Sequence, residues 1–140
     1  MKRSLLLFTV LFLLGCSNDD DTAPDYPFTG DLRIPAWMVG TWGTRMEDGS
    51  YYPYFKIKEN DICRIGPDKK ELYCMTEELG FYEAKSELSV NTGGNAVTYS
   101  LNYYRNVAFS SWLQFNLQPD GTMIWYQGTP DNPWVLYKIE

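Results

Sequence analysis

From Trp37 to the C-terminus the chain is a succession of short runs rich in Val, Tyr, Phe, Trp and Thr, each ended by a turn signal. No stretch carries the period of a convincing amphipathic helix; the best attempt, Thr76 to Glu87, contains Gly80. Glycine weakens a helix interior, whereas β-branched and aromatic residues suit a pleated, half-buried surface. Strands are therefore predicted over 37–46, 51–58, 61–66, 71–76, 81–90, 96–104, 111–118, 122–127 and 134–139. Short strands joined by hairpin turns imply an up-and-down antiparallel meander. With so few residues the economical arrangement closes on itself: the expected fold is all-β, a small antiparallel β-barrel of about eight strands.

Side chains across each hairpin suggest its register. With Asp48-Gly49 as a two-residue turn, Met46 faces Tyr51, Thr44 faces Pro53 and Trp42 faces Phe55, which leaves one face apolar. A turn through Asn91-Thr92-Gly93-Gly94-Asn95 pairs Val90 with Val97, Leu88 with Tyr99 and Ser86 with Leu101. Pro119-Asp120-Gly121 suits a type I turn with glycine at the bulge position, setting Leu117 against Met123 and Phe115 against Trp125. A slip by one residue would point Ile124 and Tyr126 inward instead, and the sequence leaves both registers open. A turn at Pro67-Asp68-Lys69-Lys70 pairs Gly66 with Glu71 and brings Cys63 opposite Cys74. Cross-strand neighbours are close enough for a disulfide when the pair is of the non-hydrogen-bonded kind. The alternative is two buried free thiols.

The start of the chain reads differently. Lys2 and Arg3 precede an apolar run from Leu5 to Leu14, about half the ~20 residues that a spanning helix needs. It reads as the h-region of a secretion signal. Leu13-Leu14-Gly15-Cys16 resembles the lipobox of bacterial lipoproteins. That resemblance implies cleavage before Cys16, acylation of Cys16 by palmitate-type chains and anchoring in a membrane. Several chains hold firmly where one gives only marginal binding. Ser17-Asn18-Asp19-Asp20-Asp21 is similar to the acidic segment that directs lipoproteins of the Bacteroides–Flavobacterium group to the cell surface. The alternative is a solvated acidic spacer. The expected location is the outer membrane, on its surface or its periplasmic face. Three units follow: a signal peptide over 1–15, a lipidated N-terminus and acidic tether over 16–31, and the barrel over 32–140. An oxidising compartment permits the Cys63–Cys74 bridge.

Charge and composition narrow the function. The formal charge is −6, and loss of Lys2 and Arg3 makes it −8, so no basic patch is left for nucleic acid. Histidine is absent, which removes the commonest general base and the commonest metal ligand. There is no G-x-S-x-G elbow, P-loop, dinucleotide fingerprint or H-E-x-x-H motif. The Cys63–Cys74 spacing without histidine is not a zinc signature. No catalytic residues, metal or cofactor are expected.

Gly40-Thr41-Trp42 resembles the G-x-W motif that opens the first strand of lipocalins and other calycin barrels, and Trp134-Val135-Leu136-Tyr137-Lys138-Ile139 is similar to the final strand of bacterial lipocalin-like lipoproteins. The resemblance implies that Trp42 packs across the closed end of a barrel and that Gly40 permits close chain approach. It departs from the family in lacking a T-D-Y triplet and an arginine in the last strand to stack on Trp42. The functional expectation is a non-catalytic module for a small apolar or amphipathic ligand, lined by the inward residues Tyr51, Tyr99, Tyr103, Phe115 and Trp125. Those five could equally fill the barrel. The alternatives are recognition of a glycan or protein by the outward residues Tyr52, Tyr54, Trp112, Tyr104 and Tyr126, or a structural envelope role without a ligand. Trp37 and Trp134 could plug the barrel end.

Overall fold

The computed structural model describes residues 28–85, 88–106, 109–127 and 129–139. The signal peptide, Cys16 and the acidic segment lie outside them. A 3-10 turn, Ala36–Met38, leads into nine strands and one helix. They are β1 (Gly40–Arg45), β2 (Tyr51–Lys58), β3 (Asp61–Ile65), β4 (Glu71–Cys74), α1 (Met75–Ala84), β5 (Ser89–Gly94), β6 (Thr98–Asn106), β7 (Phe109–Leu117), β8 (Met123–Gln127) and β9 (Thr129–Lys138). The sheet order is β4-β3-β2-β1-β9-β8-β7-β6-β5, every described pair antiparallel. It is a meander whose first and last strands pair, β1 with β9, so the open edges are β4 and β5.

The sheet curls through 250° into an open half-barrel rather than a closed barrel of about eight strands. The two edge strands, β4 and β5, are connected through α1 and do not pair among the described residues. The helix is the main departure from expectation: residues 75–84 are helical where a strand was expected over 81–90, and β5 begins only at Ser89. Two physical reasons account for it. Met75 and Leu79, one turn apart, are buried in the core, and tertiary packing of such a face outweighs weak local propensity. The N-terminal cap also comes from far along the chain. Cys74 contributes no side-chain cap, but the Asp61 carboxylate accepts from the Thr76 N–H at 3.0 Å and from its hydroxyl at 2.5 Å. A pattern confined to neighbouring residues does not contain that partner.

Three registers are instructive. Leu117 faces Met123 and Phe115 faces Trp125, which sends Met123 and Trp125 inward and resolves the ambiguity of β8. In the first hairpin Trp42 faces Phe55, but Arg45 faces Tyr51, because the loop has three residues and a bulge at Tyr54 restores the pairing. Tyr51 is thereby turned outward, 45% exposed against Tyr137, contrary to the expectation that it points into the barrel. Tyr54 turns the other way and packs on Trp125, since bulges re-aim side chains. The hairpin of β5 and β6 is displaced: Val90 faces Tyr103 and Thr92 faces Leu101, with the turn at Asn95–Thr98. Gly93 and Gly94, taken for turn residues, are paired in the strand, while Asn95 Oδ1 accepts from the N–H groups of Val97 and Thr98, both at 2.9 Å. Of the residues expected opposite that strand, Ser86 lies outside the described ones.

Candidate functional site

The concave face of the half-barrel has two parts. One is filled. Trp42, Tyr99, Leu101, Phe115, Met123 and Leu136 are buried there together with Leu32 and Met38 from the segment before β1. Both large polar side chains find backbone acceptors: Trp42 Nε1 donates to the Met38 carbonyl at 2.7 Å, and the Tyr99 hydroxyl donates to the Leu32 carbonyl at 2.6 Å. Burial, helped by the charge of Asp31, pushes the Tyr99 phenol above its usual range, so it stays a donor. Gly40 has φ +140°, a conformation few side chains tolerate, and at Gly43 a Cβ would lie 2.2 Å from the Tyr52 carbonyl oxygen. The last strand brings no arginine to Trp42, yet Lys138 Nζ lies 5.6 Å from that ring.

The other part is hollow. A cavity of about 410 Å³ is bounded by β2, β3, β4 and α1 on one side and by β6, β7 and β8 on the other. Its apolar walls are Phe55, Ile62, Met75, Leu113 and Trp125, and its polar groups include Arg64, Tyr73, Glu78, Ser110, Ser111 and Gln127. Specific small-molecule pockets typically occupy about 300–1,000 Å³ and combine such walls with a few placed polar groups.

Arg64 dominates the chemistry. Its cross-strand partner is Phe55, which places it on the concave face with Ile62, two residues away along β3. The guanidinium carbon lies 3.8 Å from the centre of the Tyr54 ring, 5.1 Å from Phe55 and 5.2 Å from Trp125. Arg64 donates one hydrogen bond to the Tyr54 hydroxyl. None of the ion pairs among the described residues involves Arg64. The indole N–H groups of Trp125, in the cavity wall, and of Trp37, in the 3-10 turn, are buried and have no acceptor among the described residues. Across the cavity Glu78 accepts from the Tyr103 hydroxyl at 3.2 Å.

The wall beneath Arg64 is pinned. Cys63 and Cys74 face each other as expected and are joined by a disulfide, but a register shift after Arg64 sets Ile65, not Gly66, opposite Glu71, and Gly66 bonds to Lys70 instead. Asp61, Cys63 and Cys74 crowd together, but the two sulfurs are bonded to each other and Asp61 caps α1, so the group has no free thiolate for a metal. Glu71 on β4 receives Lys58 at 2.8 Å and Lys56 at 3.4 Å, both from β2 across β3. The Lys58 hydrogen bond holds the Glu71 carboxyl below the usual carboxylate range.

The expected ligand-lining residues separate. Tyr103 and Trp125 line the cavity; Tyr99 and Phe115 belong to the filled part; Tyr51 is on the outside. Of the residues expected outward, Tyr54 instead packs on Arg64 and Trp125, Trp112 reaches the cavity rim, and Tyr104 stands half exposed. Trp112 meets Tyr126 at 6.4 Å, whereas Tyr52 and Tyr104 have no ring contact among the described residues. Trp134 stacks on Tyr54 at the rim, 44% exposed, and so does not plug the interior. Arg64 was missed from sequence, though the signal was present: it shares the parity of Ile62 and faces Phe55. No protein-family model matches the chain, and no curated protein and no solved structure matches it significantly.

Proposed function

We propose that this chain is a lipid-anchored protein of the bacterial outer membrane whose half-barrel, lipocalin-like in design, binds a small amphipathic ligand without transforming it. The observation that carries the reading is the cavity of about 410 Å³, which sets the Arg64 guanidinium, in no ion pair among the described residues, beside the apolar side chains Phe55, Ile62, Met75, Leu113 and Trp125. A cation beside apolar walls in a cavity of this size suits a ligand with an apolar body and a polar end. The lipocalin-like reading rests on Gly40-Thr41-Trp42 at the start of β1 and on the cation of Lys138 over Trp42 from the last strand. The anchor rests on Leu13-Leu14-Gly15-Cys16 after an apolar run.

Native mass spectrometry of the protein purified from its own host tests the binding claim. A co-purifying molecule, absent after denaturation and refolding, is the expected result; a bare mass at every stage contradicts it. Anchoring is checked separately. Cys16→Ala should move the protein out of the membrane fraction, and its retention there would refute acylation at that residue.

A further inference from the structure

We propose that the ligand of this cavity is an anion, a carboxylate carried on a compact apolar body, and that Arg64 is the residue that selects it. The inference rests on the binding reading above and gives that ligand a chemical class. The cation of the described lining, Arg64, is in no ion pair among the described residues. Arg64 has five N–H groups in a fixed fork, of which one goes to the Tyr54 hydroxyl. Ser110, Ser111 and Gln127 line the same space. A molecule that satisfies these must bring acceptors, and a guanidinium without a carboxylate partner among the described residues calls for a negative charge.

The setting sharpens the choice. The rings of Tyr54, Phe55 and Trp125 lie 3.8–5.2 Å from the guanidinium carbon, and the bond to the Tyr54 hydroxyl adds a further restraint on its position. Glu78, a carboxylate of the described lining, accepts from the Tyr103 hydroxyl, and no ion pair among the described residues joins it to Arg64. Phe55, Ile62, Met75, Leu113 and Trp125 line the same cavity as the guanidinium. An acid with an aromatic or short aliphatic body matches both features. A neutral ligand would leave the charge of Arg64 unanswered, and a cation would be repelled by it.

The test titrates the full mature chain, in a mild nonionic detergent with matched blanks, with three probes sharing one body: 4-phenylbutyrate, 4-phenylbutanol and 4-phenylbutylamine. Calorimetry should show the acid binding roughly tenfold to a hundredfold more tightly than the alcohol, with the amine weakest, as expected for charged hydrogen bonds in a partly dry site. In Arg64→Gln the acid should fall to the affinity of the alcohol, while Tyr104→Ser, on the exposed face, changes neither. Equal binding of acid and alcohol by the unaltered protein would overturn the anionic assignment and leave the cavity reading in place. No binding of any of the three, with the fold intact by circular dichroism, would overturn both. The comparison of probes on the unaltered chain does not depend on Arg64→Gln folding.

Discussion

Two indoles summarise the difference between the two parts of the concave face. Trp42 and Trp125 are each 1% exposed, and both sit among aromatic and aliphatic side chains. Trp42 donates its N–H to the Met38 carbonyl, delivered by the segment that crosses one part of the half-barrel before β1. Trp125 has no such acceptor among the described residues, and beside it the packing gives way to a cavity and a guanidinium. Side chains and the N-terminal segment complete the first region; the second is closed on one side by α1 and otherwise left hollow. The first region is the more fully packed, and the second offers the space that the proposed ligand would take.

That contrast breaks most sharply under truncation. Phe115→Ala removes a ring at full burial and should cost about 3–5 kcal/mol in denaturant unfolding, whereas Leu113→Ala, at the cavity wall, should cost nearer 2 kcal/mol because its site already borders empty space. Equal losses would mean that the two regions are packed alike. Reduction of Cys63–Cys74 comes next. The bridge closes a short loop at the base of the cavity, and its loss should lower stability by about 2–4 kcal/mol in matched unfolding curves with and without reductant. Binding should weaken more than the filled region loosens, which amide exchange can resolve.

Smaller effects follow at the supports of each region. Asp61→Ala strips the cap from α1 and should cost about 1 kcal/mol, with helical signal lost before sheet signal on heating. Tyr99→Phe leaves the Leu32 carbonyl without its partner in the filled region, at a cost of about 1 kcal/mol and with ligand affinity unchanged. The smallest effect is acidic loosening of two hairpin turns. Asp48 and Asp120 are held below the usual carboxylate range by bonds from Ser50 and Thr122. Their contribution is complete above the ordinary carboxylate pKa and is lost as pH falls through the lowered one. The amides of Ser50 and Thr122 should lose protection as the pH falls from ~4 to ~2, and unchanged protection there would show that these bonds do not hold the turns.

What could be read from sequence follows the range of the interactions involved. The β7–β8 register and the facing of Cys63 with Cys74 were legible, because a turn and two strands lie within one short segment. The helix was not: its cap, Asp61, lies fifteen residues from Thr76, and Gly80 argues locally against it. Gly93-Gly94 misled for a related reason, since glycines that look like a turn were paired in a strand and Asn95 made the turn instead. The bulge at Tyr54 compensates for a longer loop, so the Trp42–Phe55 pairing was legible while the direction of Tyr51 was not. In the candidate site, Tyr103 and Trp125 were legible as inward aromatics, but the guanidinium between the walls required the parity of β3 to be followed past Cys63.

The indole N–H resonances of the five tryptophans test the central contrast most directly. In a nitrogen-15 correlation spectrum, titration with 4-phenylbutyrate should shift the Trp125 signal and leave that of Trp42 in place. A Trp125 signal that stays fixed while the ligand binds, or one that moves no more than Trp42, would contradict the division of the interior into a filled region and a binding one.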